Sequence, residues 1–281
     1  MGLAVRTIAR SFWRAEDLAG DGLNLRACRG IRQLNSIEGS SSREPILLMK
    51  SNSIVKQKLL GGAIGSAALS LRDKLEILHA AYTSSERLGT IANNQLATKL
   101  VTRICQSHKT FIDVGAHIGS IISEVAYRDS SVRIVAIEAV PEKIVRLRRK
   151  FPSIELHHCA AGESSGEVSF FVNVGQSAYS SLLRPAGAAE HAVSEIRVPL
   201  KRLDELVSSN EVDVIKIDVE GAELGVLRGS ANILKNCRPT IMFESSWSGN
   251  DLGYTKEALY QFLSSIDYAV LIPNRVAHND P

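Results

Sequence analysis

The chain has 281 residues, of which 44% are hydrophobic, 22% charged and 5% aromatic, and it carries a formal net charge of +3. That length can bury a full core, so one large soluble globular domain with an appendage is expected. So small a charge gives no general attraction to nucleic acid, and few aromatics leave few platforms for stacking bases, so no nucleic-acid partner is expected.

The first fifteen residues, MGLAVRTIARSFWRA, contain no acid, and Arg6, Arg10 and Arg14 recur opposite Val5, Ile8, Ala9, Phe12 and Trp13. This basic amphipathic pattern is that of an organellar targeting segment or a membrane-surface helix. Acids return at Glu16, Asp17 and Asp21, and SIEGSSSREP (36–45) reads as a linker. The plainer reading of residues 1–53 is therefore a poorly structured extension, which leaves a cytoplasmic location as the expectation. Cys28, Cys105, Cys159 and Cys237 have neither metal-ligand spacing nor a disulfide framework, which fits a reducing compartment; Cys159 and Cys237 read as small apolar core groups.

Residues 54–107 read as a helical N-terminal segment, with Leu71, Leu75, Ile77 and Leu78 in one helix and Leu96, Leu100, Val101 and Ile104 in another. The most apolar early run, LLGGAIGSAALSL (59–71), is too short to span a bilayer. From residue 108 to 281 the pattern is that of the principal domain.

That domain opens with FIDVGAHIGS (111–120), a strand running into a glycine-bearing turn and then a helix. Asp113 sits inside the apolar run, where an unpartnered carboxylate is costly, so a polar ligand at the turn is expected. Gly115 and Gly119 allow the backbone to turn and approach closely, and the helix that follows aims its N-terminus at the ligand. Strands and helices then alternate: VRIVAIE (132–138), PEKIVRLRRKF (141–151), IELHHCA (154–160), VDVIKIDV (212–219), AELGVLRG (222–229), PTIMFE (239–244), KEALYQFLSSI (256–266) and YAVLIP (268–273). Such alternation requires an α/β fold, a doubly wound and mostly parallel sheet. EVSFFVNV (167–174) and IRVPL (196–200) read as an inserted hairpin, and the final strand has no second hairpin arm after it.

Spacing separates two nucleotide readings of the turn. A dinucleotide fold calls for G-x-G-x-x-G, which is absent, so a dehydrogenase using NAD is the weaker alternative. The chain instead has D-x-G-x-x-x-G at Asp113, Gly115 and Gly119, with Ala116 and His117 inside the loop. Glu138 closes the next strand, where a carboxylate can accept both hydroxyls of a ribose; its plainer role is to cap the helix starting at Pro141. CAAG (159–162) ends the following strand, and Ala160 and Ala161 are small enough to let adenine lie against backbone. Together these resemble the Rossmann-like class I methyltransferases, which use S-adenosyl-L-methionine as cofactor.

IRVPLKRLDEL, VDVIKIDVEGAELGVLRGS and RPTIMFE narrow the likeness, as does AAGESSGEVSFFV: over about residues 110–245 the chain resembles the FkbM-type methyltransferase family. The resemblance implies methyl transfer to a hydroxyl on a sugar, a lipid-linked glycan or a natural product. A family whose sheet normally ends in a hairpin of sixth and seventh strands is matched here by a chain with one such strand.

Within VDVIKIDVEG, Lys216, Asp218 and Glu220 project to one side while the strand stays extended. Either Asp218 or Glu220 orients or deprotonates the acceptor hydroxyl with Lys216 fixing the carboxylate, or all three serve the N-terminus of the next helix. The carboxyl ends of the first and fourth strands put Asp113 and Asp218 on opposite lips of one crevice. Glu244, ending PTIMFE, and Ser181, in the family-like serine stretch QSAYSSLL, are candidate acceptor-binding residues. A hard divalent cation among Asp218, Glu220 and Glu244 is the lesser option, so no metal is expected. His117 is a candidate for the methionine end of the cofactor, and His157 and His158, on opposite faces of a strand, make a poor metal pair. Residues 184–195 read as a lid or a plain insertion. The competing non-enzymatic reading is a partner-binding protein that keeps the methyltransferase fold.

Overall fold

The computed structural model describes residues 5–11, 71, 74, 75, 78, 79, 98–173, 180–184, 192–208, 211–245 and 254–271. The strands are β1 (Val5–Ser11), β2 (Thr110–Val114), β3 (Arg133–Glu138), β4 (Glu155–His158), β5 (Ala160–Ala161), β6 (Gly166–Asn173), β7 (Val193–Lys201), β8 (Val214–Ile217), β9 (Thr240–Ser245) and β10 (Tyr268–Leu271). Around them lie α1 (Ser120–Arg128), α2 (Pro141–Lys150), α3 (Leu203–Leu206), α4 (Glu223–Arg228), α5 (Ala231–Cys237) and α6 (Lys256–Ser265). All described residues belong to one unit drawn from Met1–Ser11 and Leu59–Pro281.

The main sheet runs β10-β1-β9-β8-β2-β3-β4, and its pairings are parallel. β2 and β8 are buried at every position, as central strands covered on both faces must be. Successive side chains feed two cores. Phe111, Ile134, Ala136 and Val214 pack on one face with Ile122, Val125 and Leu147 from α1 and α2. Ile112, Val114, Val135, Ile137, Ile215 and Ile217 pack on the other with Leu224, Leu227, Ile233 and Leu259 from α4, α5 and α6. This period of two, apolar on both sides, is what makes the sheet doubly wound.

Local sequence explains the helices that border the crevice. Pro141 opens α2 with its fixed φ, Ile144 and Leu147 bury one stripe, and Arg148, Arg149 and Lys150 complement the carbonyl end. Thr255 caps α6 by accepting the Ala258 N–H.

The inserted hairpin is present: β6 and β7 pair antiparallel from Gly166↔Leu200 to Asn173↔Val193. Two expected strands are shorter than their apolar runs. IELHHCA divides at Cys159, whose N–H turns to the Glu138 carbonyl at 3.2 Å, and Ala160–Ala161 then joins β7 in a second sheet of order β5-β7-β6. VDVIKIDV yields only Val214–Ile217, so Asp218 and Glu220 lie beyond the strand.

Val5–Ser11, where the sequence pattern points to an extension or a basic helix, is a strand between β9 and β10, with Ile8 opposite both Met242 and Leu271. Leu71, Leu75 and Leu78 are helical and exposed, and residues 98–104 form a helix that buries Val101. Cys105 and Cys159 are buried, which pushes their thiols up to about 12 and about 11. No helix among the described residues is long and apolar enough to cross a membrane.

Candidate active site

β2 ends where the chain must turn over its own neighbour. Gly115 adopts φ 75°, and a Cβ there would lie 2.0 Å from the Asp218 carbonyl oxygen. Gly119, φ 77°, caps α1, and a Cβ there would meet the Phe151 ring at 2.5 Å. Both glycines are thus required by close packing of protein on protein. The Asp218 N–H donates to the Val114 carbonyl at 3.0 Å, which carries the ladder one step past β8 and fastens the β8 loop to the β2 loop.

Asp113 is 1% exposed, and its carboxylate faces a cation of the chain itself. The Lys216 ammonium lies 3.1 Å from Asp113 Oδ1 and 3.4 Å from Asp218 Oδ2, and donates to the Gly115 carbonyl at 2.8 Å. One lysine therefore joins both lips of the crevice. Burial works against the Lys216 charge, but Asp113 and Asp218 outweigh it and hold its ammonium above the usual lysine range. Burial pushes the Asp113 carboxyl up, and Lys216 offsets only part of that.

Glu138 does not cap the first turn of α2, which has no side-chain cap; it holds the residue before that helix and the β2 loop. Oε1 accepts the Val140 N–H at 2.9 Å, Oε2 accepts the His117 N–H at 2.8 Å, and Lys143 Nζ stands 3.9 Å from Oε1. The carboxylate thereby couples the end of β3 to the β2 loop, which Gly115 and Ala116 also join by donating to the Ile137 carbonyl.

Lys143 and Glu223 complete the group, and neither stands out from its residue type in the sequence. Lys143 is on the buried stripe of α2, one turn before Leu147, a position that helical periodicity does expose. Burial lowers its pKa, opposed by Glu138, Asp218 and Glu220. Glu223, in the first turn of α4, is 3% exposed, and its carboxyl is pushed up to about 7, chiefly by burial.

The other candidates are distributed as follows. The Asp218 side chain is 33% exposed, and Glu220 is half-buried at φ 54°, so the extended alternation expected of Lys216, Asp218 and Glu220 stops at Ile217. Ala116 is buried in the loop, and His117, at φ 53°, is partly exposed. Ala160 is buried with Ala139 and Val140, next to Glu138, while Ala161 packs into the larger core. The Ser181 hydroxyl serves its own turn, accepting the Leu183 N–H at 2.9 Å. Glu244 is in β9 by its backbone, and its side chain lies outside the described residues, as do residues 185–191 of the expected lid.

The family described as the methyltransferase FkbM domain matches residues 113–270, more than half of the chain, beginning at Asp113 and ending in β10. The chain belongs to the FkbM methyltransferase family. It is by that membership an S-adenosylmethionine-dependent methyltransferase, built on the parallel α/β sheet described above. No curated protein matches it. Among solved structures it is similar to a chain described as a protein-L-isoaspartate O-methyltransferase of Plasmodium falciparum in complex with S-adenosyl-L-homocysteine. That likeness has 12% identity and a TM-score of 0.23, over 48% of this chain and 49% of that one. It is also similar to the plantazolicin methyltransferase BpumL, again in complex with S-adenosyl-L-homocysteine, at 10% identity and a TM-score of 0.25 over 78% and 74% of the two chains. The assignment rests on the family match.

In this FkbM methyltransferase four acids, Asp113, Glu138, Asp218 and Glu220, gather with Lys143 and Lys216 where β2, β3 and β8 end. Each Glu138 oxygen takes one backbone N–H and keeps acceptor capacity for a hydroxyl.

Proposed function

We propose that this FkbM methyltransferase methylates a hydroxyl oxygen on a sugar, a lipid-linked glycan or a natural product, with Asp218 as the group that receives the hydroxyl. The observation that carries this reading is the Asp218 carboxylate, one-third exposed beside Asp113, Glu138, Lys143 and Lys216, which are buried. S-adenosylmethionine supplies an activated methyl group on sulfur, so the protein's main task is alignment of the acceptor. Asp218 holds the acceptor O–H and takes its proton as the oxygen gains the methyl carbon, a contribution of roughly a hundred- to ten-thousand-fold. Lys216, with its ammonium 3.4 Å from Asp218 Oδ2, orients that carboxylate. Glu220, reaching the same charge cluster through Lys143, is the second carboxylate on that side.

On the donor side, Glu138 accepts the ribose hydroxyls, the Gly115–Gly119 loop with Ala116 and His117 borders the methionine end, and Ala160 and Ala161 flank the adenine. Asp113 acts through Lys216. Ser181 and Glu244 are the proposed acceptor contacts outside this cluster.

Labelled-methyl transfer from S-adenosylmethionine into lipid, glycan and small-molecule extracts tests the reading. Asp218→Asn is expected to bind S-adenosyl-L-homocysteine normally and to lose turnover; normal turnover in that variant removes the proposed chemical role.

A further inference from the structure

The β8 loop leaves its sheet at Asp218 and reaches α4 through two left-handed residues, Glu220 at φ 54° and Gly221 at φ 107°. For Glu220 that conformation is sterically unfavourable, so something must impose it. The nearest restraint is a side chain. Glu223 Oε1 accepts the Gly221 N–H at 3.1 Å and the Val219 N–H at 3.4 Å, one on either side of Glu220.

Glu223 is costly to keep there, because burial disfavours its charge, whereas its neighbours Ala222, Leu224 and Val226 are buried without penalty. It lines a small crevice with Gly221, Leu224, Tyr254, Thr255, Lys256 and Leu259. The charged and titratable groups facing it are Asp218 from the loop and Tyr254 and Lys256 from the start of α6. Its side-chain hydrogen bonds go to Val219 and Gly221. These two bonds fix the peptide units that flank Glu220 and follow Asp218.

We propose that Glu223 is a positioning residue of the methyl-transfer step: by clamping the Val219 and Gly221 amides it sets the 218–221 loop so that Asp218 and Glu220 face the acceptor. The proposal rests on the reading of Asp218 given above. It separates two tasks that the sequence places side by side, with Lys216 holding the base of the loop to the donor side and Glu223 holding its far end.

Glutamine keeps one carbonyl oxygen where Oε1 accepts both amides, while leucine keeps bulk and removes the acceptor. In labelled-methyl transfer to the extracts above, Glu223→Leu is expected to lower kcat at least tenfold. Its KM for S-adenosylmethionine and its affinity for S-adenosyl-L-homocysteine stay within about twofold of the wild type. Glu223→Gln restores kcat to within a few-fold. Amide hydrogen exchange reads the clamp without any acceptor: Val219 and Gly221 are protected in the wild type and in Glu223→Gln, and lose protection in Glu223→Leu. Fast exchange at both amides in the wild type overturns the proposal, as does wild-type turnover in Glu223→Leu while Asp218→Asn is inactive. Normal turnover in Asp218→Asn overturns instead the reading on which it rests.

Discussion

The carbonyl oxygen of Asp218 occupies the space beside Gly115 that a side chain would need, 2.0 Å from where a Cβ would stand. The loop after β2 and the loop after β8 are therefore in close backbone contact. Gly115→Ala adds both a clash with backbone and a left-handed alanine at φ 75°. It should cost more than about 2 kcal/mol of stability and at least tenfold in S-adenosyl-L-homocysteine affinity. Urea melts and calorimetric titration measure the two; an alanine variant with normal affinity would mean the loops tolerate separation.

Lys216→Met tests the ion-pair bridge. It removes the ammonium that faces Asp113 and Asp218 and leaves a 1%-exposed carboxyl without its cation. Breaking such a buried pair from one side costs about 3–5 kcal/mol, whereas removing both partners is far cheaper. Asp113→Leu with Lys216→Met should therefore recover much of the loss, and a double-mutant cycle on unfolding free energies gives the coupling directly.

Much of this was readable in the chain itself, and the parts that were not share a cause. β2, β3, α2 and the hairpin followed from period and punctuation, because a doubly covered strand and an amphipathic helix leave local patterns. Asp113 and Glu138 stood out as acids at the ends of apolar strands. What Asp113 meets did not: its partner is Lys216, about a hundred residues away, brought adjacent only by the β2–β8 register Asp113↔Lys216. The same holds for the loop after Ile217, whose left-handed turn ends the strand before its apolar pattern stops. Glu223 looks like an ordinary first-turn acid until its burial is known. The strand at Val5–Ser11 was hidden because its arginines recur at helical spacing while its partners lie more than two hundred residues away.

That strand is open to a backbone test. Ile8 stands opposite Met242 in β9 and Leu271 in β10, and proline there removes an N–H and fixes φ within a strand paired on both sides. Ile8→Pro should lower Tm by several degrees and speed amide exchange along β10. Unchanged exchange in β10 would show that residues 5–11 do not hold that edge.

Glu138→Gln tests the proposed donor role of the carboxylate that ties Val140 to the β2 loop. Both carboxylate oxygens accept backbone N–H groups, from Val140 and His117, and an amide offers one acceptor and turns a donor toward the other. The His117 loop loses its tie and the ribose its acceptor. Affinity for S-adenosyl-L-homocysteine should fall at least tenfold, about 1.4 kcal/mol, with a smaller change in kcat at saturating donor.

Glu223 gives the pH dependence of stability a definite sign. Its carboxyl is pushed from an ordinary 4.5 up to about 7, first by burial and against the N–H groups of Gly221, Val219 and its own backbone. Between those values the folded state binds more protons than the unfolded state, so its contribution to unfolding free energy falls as pH rises through about 4.5 to 7 and levels off above. The full difference corresponds to about 3 kcal/mol. Glutamine carries no charge at any of these pH values and keeps the two bonds, so Glu223→Gln should flatten that decline and be the more stable protein at pH 8, while wild type and variant converge near pH 5. Urea melts at pH 5, 6, 7 and 8 measure both curves; parallel curves across this range would mean that Glu223 is ionised throughout and that the cost of burying it is met by its backbone partners.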